Sequence, residues 1–307
     1  MTRTIVAMLA ALLAGGLAQA EDSTYIYVLG IAQDAGYPQA GCYQPHCMPG
    51  WQDKSLRRTA SSVAVIDTAS RAKYLFDATP DLPDQLYRLH AEAPDDEYSL
   101  DGVFLTHAHI GHYVGLMHFG HEVMGAHDVP VYAMPRMHEF LSTNGPWDQL
   151  VRYENIRLHQ MSDAKPIEFS ERLTVTPFRV PHRDEYSETV GFRIDGPNKS
   201  AVFIPDIDKW QDWETDIRAV VREVDYALVD ATFYGHGELA RDMSAIKHPF
   251  IEESMALFED LTDEQKARVI FIHLNHSNPA MRDGSEQRAT VENNGFRIAH
   301  EGMRLEL

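Results

Sequence analysis

The segment from Thr106 to His112 constrains this chain more than any other. His107, His109 and His112 place three imidazoles within six residues, directly after a short apolar run at 102–106 that contains Val103, Phe104 and Leu105. Imidazole is a preferred ligand of zinc and neighbouring divalent metals, and a strand-to-helix turn can aim alternate side chains inward. A solvated, His-rich turn is the structural alternative. Taken alone, the cluster points to a metal and leaves the reaction open.

Residues 1–20 read as a secretory leader. Arg3 gives the start its positive charge, 5–17 form an apolar run, and Ala18, Gln19 and Ala20 supply a small-x-small exit. The run is shorter than the ~20 residues of a membrane-spanning helix. Glu21 rather than a cysteine follows it, which argues against lipid modification. The expectation is an exported chain of residues 21–307, periplasmic or secreted, without a membrane span. Over the full sequence 46 acidic residues outnumber 27 basic ones, a formal net charge of −19 at pH 7. That balance argues against nucleic acid and anionic lipid as partners, because phosphate binding depends on cationic neutralisation. A small-molecule substrate is the expected partner.

No repeat, low-complexity tract or linker divides residues 21–307, so one domain is expected. Strands are expected at 25–31, 62–67, 73–76, 102–106, 129–133, 173–180, 190–194, 201–204, 226–229 and 269–272. Helical spacing marks 81–89, 114–123, 210–218, 250–258 and 262–268. Residues 296–298 and 304–307 read as a closing hairpin. Strands lead each half with helices interleaved, which favours an α/β fold of two packed sheets with helices outside. The Gly-rich phosphate loops of a doubly wound fold are absent.

With its preceding strand and Thr106, the His cluster resembles the His-x-His-x-Asp-His signature of the metallo-β-lactamase superfamily. The downstream order is similar too: His182 follows Val180 and Pro181, Asp206 follows Ile204 and Pro205, and His273 follows Ile272. Within the superfamily the resemblance is closest to the branch of coenzyme PQQ synthesis protein B, tRNase Z and the phosphonate-pathway phosphodiesterase. It runs from about residue 25 to the C-terminus. It implies the four-layer αβ/βα sandwich, a first metal held by His107, His109 and His182, a second held by His112 and His273, and Asp206 bridging both. The implied cofactor is zinc, one or two ions, with iron or manganese as alternatives. Paired cations of this kind bind a water, lower its pKa and neutralise charge developing on a carbonyl or phosphoryl oxygen. For Asp206 the structural alternative is a cap on the helix that follows.

One departure matters: Gly111 stands where the signature has its Asp. The carboxylate that normally ligates the second metal is missing from that position. Asp230, Asp34 and Asp184 are the candidates to replace it, each with a capping or surface role as the alternative.

The resembling branch often carries a Cys-x-Cys-x-x-Cys cluster that closes a structural zinc site with a later His. Here Cys42 and Cys47 fall at the outer positions, Gln44 takes the middle one, and His46 lies beside them. The resemblance thus implies a second, structural zinc held by Cys42, His46, Cys47 and His276. A Cys42–Cys47 disulfide is the alternative in an oxidising compartment. His248 is read with Asp206 as catalytic, a proton donor to a leaving group, and Arg183 as a contact for an anionic substrate. For both, a bystander role in a polar loop stays open.

The expected function is an exported metallohydrolase acting on a small ester, phosphodiester or cyclic substrate through a metal-bound hydroxide. The alternatives are an oxidative or hydroxylating enzyme, or handler of a quinone precursor, like coenzyme PQQ synthesis protein B, and a non-catalytic metal-binding protein.

Overall fold

Nearly every residue of the strands at 24–30, 62–67 and 72–76 is buried, because their sheet is covered on both faces. Ile26 and Val28 join the core between the sheets, while Tyr25 and Leu29 face the helices behind them. Val63 and Val65 oppose Ala64 and Ile66 in the same way. A sheet wetted on one side would instead alternate apolar with polar side chains.

The structure, a computed structural model, describes residues 22–307. The expected leader at 1–20 lies outside the described residues. In chain order the strands are β1 (Thr24–Gly30), β2 (Ser62–Asp67), β3 (Ala72–Phe76), β4 (Ser99–Phe104), β5 (Val129–Ala133), β6 (Ile156–Gln160) and β7 (Ile167–Ser170). They continue as β8 (Leu173–Arg179), β9 (Val190–Asp195), β10 (Ser200–Ile204), β11 (Tyr226–Asp230), β12 (Val269–Ile272), β13 (Arg297–Ile298) and β14 (Arg304–Glu306). One sheet has the order β14-β1-β2-β3-β4-β5-β6, the other β13-β12-β11-β10-β9-β8-β7. In each, three parallel pairings follow three antiparallel ones: β3 to β6 run parallel in the first sheet and β10 to β13 in the second. This is the four-layer αβ/βα sandwich that the sequence implies. No described helix is long and apolar enough to cross a membrane.

The closing hairpin does not form. β13 pairs with β12 in one sheet and β14 with β1 in the other, so the chain crosses between sheets at 299–303. The Ala299 amide donates to Phe271 and the Gly302 amide to Val28, which stitches the crossing to both. Two short runs with one apolar face each carry no information about which sheet they complete. The helix expected at 114–123 is replaced by a short turn of helix at Ile110–Tyr113 and a tighter 3₁₀ segment at Val114–Phe119. Gly115 explains the change: its amide donates to Ala78, and its Cα packs against the Ala78–Thr79 backbone, where a side chain would not fit.

Phe76 ties the two sheets together. Its ring stacks on Phe104 at 4.8 Å and meets Phe192 edge-on at 5.3 Å across the interface. Removing a fully buried aromatic side chain typically costs about 3–5 kcal/mol. Phe76→Ala is expected to lose about that much stability, read from urea unfolding midpoints at unchanged slope.

Candidate metal centre

The carboxyl ends of strands in both sheets meet along one edge of the sandwich, and the chemistry-bearing side chains stand there. Asp77 follows β3, Thr106 and His107 follow β4, and His182 follows β8. Asp206 follows β10, Asp230 ends β11, and His273 follows β12. Residues of opposite sheets, far apart in sequence, thereby face one cavity.

Two donor clusters form around Asp206. In the first, His109 Nδ1 lies 2.8 Å from His107 Nε2 and 3.3 Å from His182 Nε2. Asp206 Oδ2 lies 3.1 Å from His182 Nε2 and 3.4 Å from His107 Nε2. In the second, Asp34, His112 and His273 bring one donor atom each to within 4.8 Å of one another. His112 Nε2, His273 Nε2, Asp206 Oδ1 and Asp34 Oδ1 are buried and lack any hydrogen-bond partner. Leaving buried polar atoms unpaired costs about 1–3 kcal/mol each, more for charged groups. Three of these atoms converge, with Asp206 Oδ2 3.8 Å from His112 Nε2, and that donor set fits a cation. All six implied metal ligands (His107, His109, His112, His182, Asp206 and His273) are thus brought together.

The other ring nitrogens of these histidines are already engaged. His112 Nδ1 lies 2.7 Å from Asp77 Oδ2, His182 Nδ1 3.1 Å from Asp208 Oδ1, and His273 Nδ1 3.0 Å from Thr232 Oγ1. His107 Nδ1 contacts Thr106 Oγ1 at 2.9 Å, and His109 Nε2 lies 3.3 Å from Glu185. Such partners fix the ring orientation and tautomer of a metal-binding histidine. Burial draws His107 well below the ordinary histidine range, reinforced by His112. Burial opposes protonation of His112 and His182 as well, yet Asp77 and Asp34 lift the first to about 10, and Asp206 and Asp208 lift the second to about 9. Asp206 is held well below the carboxylate range, because His182 and His248 outweigh the effect of its burial. Ligation here requires those protons to leave.

Asp77, Asp208, Thr106 and Thr232 escape the sequence reading. Asp77 had a legible signal, since a carboxylate directly after an apolar strand is the same pattern that singles out Asp206. Of the other acids weighed, Asp230 is saturated: it accepts from the amide and hydroxyl of Thr232 and from the Ile207 amide, and lies 2.9 Å from His248 Nδ1. Asp184 points away to Arg136 at 3.3 Å. Asp206 is no helix cap: the helix expected at 210–218 is split into a 3₁₀ turn, Trp210–Asp212, entered through Lys209, and a helix, Ile217–Glu223, capped by Asp216. His248 does join the site, with Nδ1 3.2 Å from Asp206 Oδ1. Arg183, 3.3 Å from Glu185, lines a pocket of about 450 Å³ together with His182, Asp208, Arg241, Lys247 and His248.

The structural zinc needs correction. Cys42, His46, Cys47 and His276 do gather in one place, but Cys42 and Cys47 are joined as a disulfide. A disulfide sulfur lacks the thiolate charge that zinc binding requires. In this form the four residues are a covalent clasp, with the His46 and His276 rings 5.6 Å apart. Thiol titration of denatured, unreduced protein is expected to find neither cysteine free; two free thiols would restore the zinc assignment. Asp77→Asn should keep the fold and weaken metal affinity about 10–100-fold, the usual effect of losing such an outer partner, as followed by competition with a chromophoric chelator.

A family described as Beta-lactamase superfamily domain matches residues 72–274. Curated relatives named coenzyme PQQ synthesis protein B include one from Methylorubrum extorquens (strain PA1), 26% identical over 311 residues, covering 92% of this chain and 100% of the relative. Another, from Methylobacterium sp. (strain 4-46), is 28% identical and covers 91% and 99%. Among solved structures, Zn(2+)-bound PqqB from Methylobacterium extorquens is similar at a TM-score of 0.75 and 24% identity, covering 92% of this chain and 100% of that one. A diphosphatase from the PhnP family gives 0.64 at 22% identity, with 92% and 98% covered. Human tRNase Z, short form, gives 0.57 at 14% identity, also with 92% and 98% covered. With the match running from β3 to just past His273, and the same fold in each neighbour, the chain belongs to the beta-lactamase superfamily and has its metallo-β-lactamase fold.

Proposed function

We propose that the chain is a metal-dependent hydrolase acting on a small anionic ester, phosphodiester or cyclic substrate. The observation that carries this reading is the convergence of His107 Nε2, His109 Nδ1, His182 Nε2 and a carboxylate oxygen of Asp206 within 4.8 Å of one another. A divalent cation held there supplies Lewis acidity and a water of lowered pKa. Zinc suits three imidazoles and a carboxylate.

The chain's own residues supply the remainder. Asp208, Glu185 and Thr106 hold the three imidazoles in place through their outer nitrogens. Arg183, Arg241 and Lys247 line the pocket beside His182, in a chain of net charge −19. An anionic substrate finds its counter-charge at that wall and little elsewhere. His248 keeps Nδ1 on Asp230, which leaves Nε2 to hold the proton that a leaving-group oxygen takes up. The disulfide supports an exported chain, since such bonds persist in oxidising compartments.

Similarity to coenzyme PQQ synthesis protein B over 92% of the chain favours a second reading, oxidative or hydroxylating chemistry on a quinone precursor with iron. Elemental analysis of protein purified without added metal separates the two. Zinc together with turnover of bis(p-nitrophenyl) phosphate or a p-nitrophenyl ester supports hydrolysis; iron with no turnover supports the second. His109→Ala should lose tightly bound metal and activity while its far-UV circular dichroism stays native. Full metal retention by that variant, measured by mass spectrometry, would remove the metal assignment. His248→Gln should keep its metal and lower kcat about 10²-fold on diesters with alkoxide leaving groups, with little effect on nitrophenolate leaving groups. An equal loss on both would take the proton-donor role from His248.

A further inference from the structure

Gly111 and Asp34 occupy one another's space. A Cβ placed on Gly111 would overlap the Cα and Oδ1 of Asp34 and lie 3.0 Å from its Cβ. The place where the superfamily signature puts its aspartate side chain is therefore filled by an aspartate from another part of the chain. Asp34 Oδ1 is buried without a partner and faces His112 Nε2 at 3.6 Å. His112 Nε2 and His273 Nε2, on side chains almost wholly buried, are likewise unpaired.

We propose that Asp34 is the missing carboxylate ligand of the second metal, which is held by Asp34, His112, His273 and the bridging Asp206. The proposal rests on the metal-centre reading above and adds a ligand to it. Asp34 lies outside residues 72–274, the span of the family match, and of the three acids the sequence offers for this role it is the one that reaches His112.

The backbone is built to deliver this side chain. Asp34 has φ +37°, in the left-handed region that non-glycine residues seldom adopt and that Asp tolerates better than most. The Gln33 amide donates to Leu274 O at 2.8 Å, and the Leu274 amide donates to Ile31 O at 2.8 Å. This paired bridge fastens the segment before Asp34 to the residue after His273, so the two ligands move as one. Gly36, at φ +74°, then turns the chain away, its amide donating to Gln33 O at 3.0 Å. The second carboxylate oxygen is the more exposed part of a side chain that is 47% accessible, so a single oxygen enters the cavity.

The test counts metal ions per chain by native mass spectrometry after loading with excess zinc and desalting, and follows cobalt(II) absorption during titration. Wild type should hold two ions. Asp34→Ala should hold one, with its far-UV circular dichroism native. Gly111→Ala, which removes no ligand, should also fall to one by displacing Asp34. The exchange Asp34→Gly with Gly111→Asp should return to two, because the carboxylate regains the signature position and glycine accepts the left-handed backbone at 34. Two ions in Asp34→Ala, or only one in wild type, would overturn the Asp34 assignment while leaving the metal centre intact. No bound ion in wild type would instead sink the metal-centre reading itself.

Discussion

A cluster of buried ligand atoms without partners is the constraint around which this structure is organised. His112, His273 and Asp206 are nearly inaccessible to solvent, yet each ends in an atom that no protein group satisfies. Such atoms are stable in a protein interior only when something of opposite charge sits between them. The sandwich supplies the rigidity that keeps them from collapsing into other pairings. Sheets buried on both faces, tied by the stack of Phe76 on Phe104 and its edge contacts with Phe192, cannot slide without opening the core.

Three of the seven described non-glycine residues with positive φ stand at the same edge. Asp34, Asp77 and His273 all have positive φ, at +37°, +65° and +64°. Each such residue typically costs of the order of 1–3 kcal/mol and persists only where its surroundings over-determine it. For Asp77 the surroundings are explicit. Its amide donates to Phe104 O, and its carboxylate accepts from the amide and hydroxyl of Thr106 while holding His112. One side chain thus sets the turn after β4 and the orientation of a ligand. The clasp of Cys42 and Cys47 follows the segment that carries Asp34, and its His46 ring lies tilted 5.6 Å from that of His276.

The chain combines features that separate among the proteins it is similar to. Its full-length similarity runs to coenzyme PQQ synthesis protein B, while a PhnP-family diphosphatase and human tRNase Z share the fold. Its own residues speak for an anionic substrate, since Arg183, Arg241 and Lys247 gather beside His182 in an otherwise acidic protein.

Much of this was legible in the sequence, and the boundary follows a physical line. Strand-end histidines and Asp206 stand out because an apolar run ending in a metal-binding side chain is a local pattern, readable within a few residues. The continuous apolar, β-branched and aromatic runs of β1 and β2 are likewise local, and mark strands buried on both faces. Asp77 carried the same signal but sat apart from the His cluster. Contacts between distant segments carry no such signal. Nothing in residues 296–307 says that β13 and β14 complete different sheets, or in Gly115 that a neighbouring backbone would break the helix. So too with Gly111 and Asp34. The sequence alone determined that a carboxylate was missing from the His cluster, because the loss is visible at one position. Only the tertiary structure decided what stands in its place, because two segments 77 residues apart meet in space only after both sheets have packed.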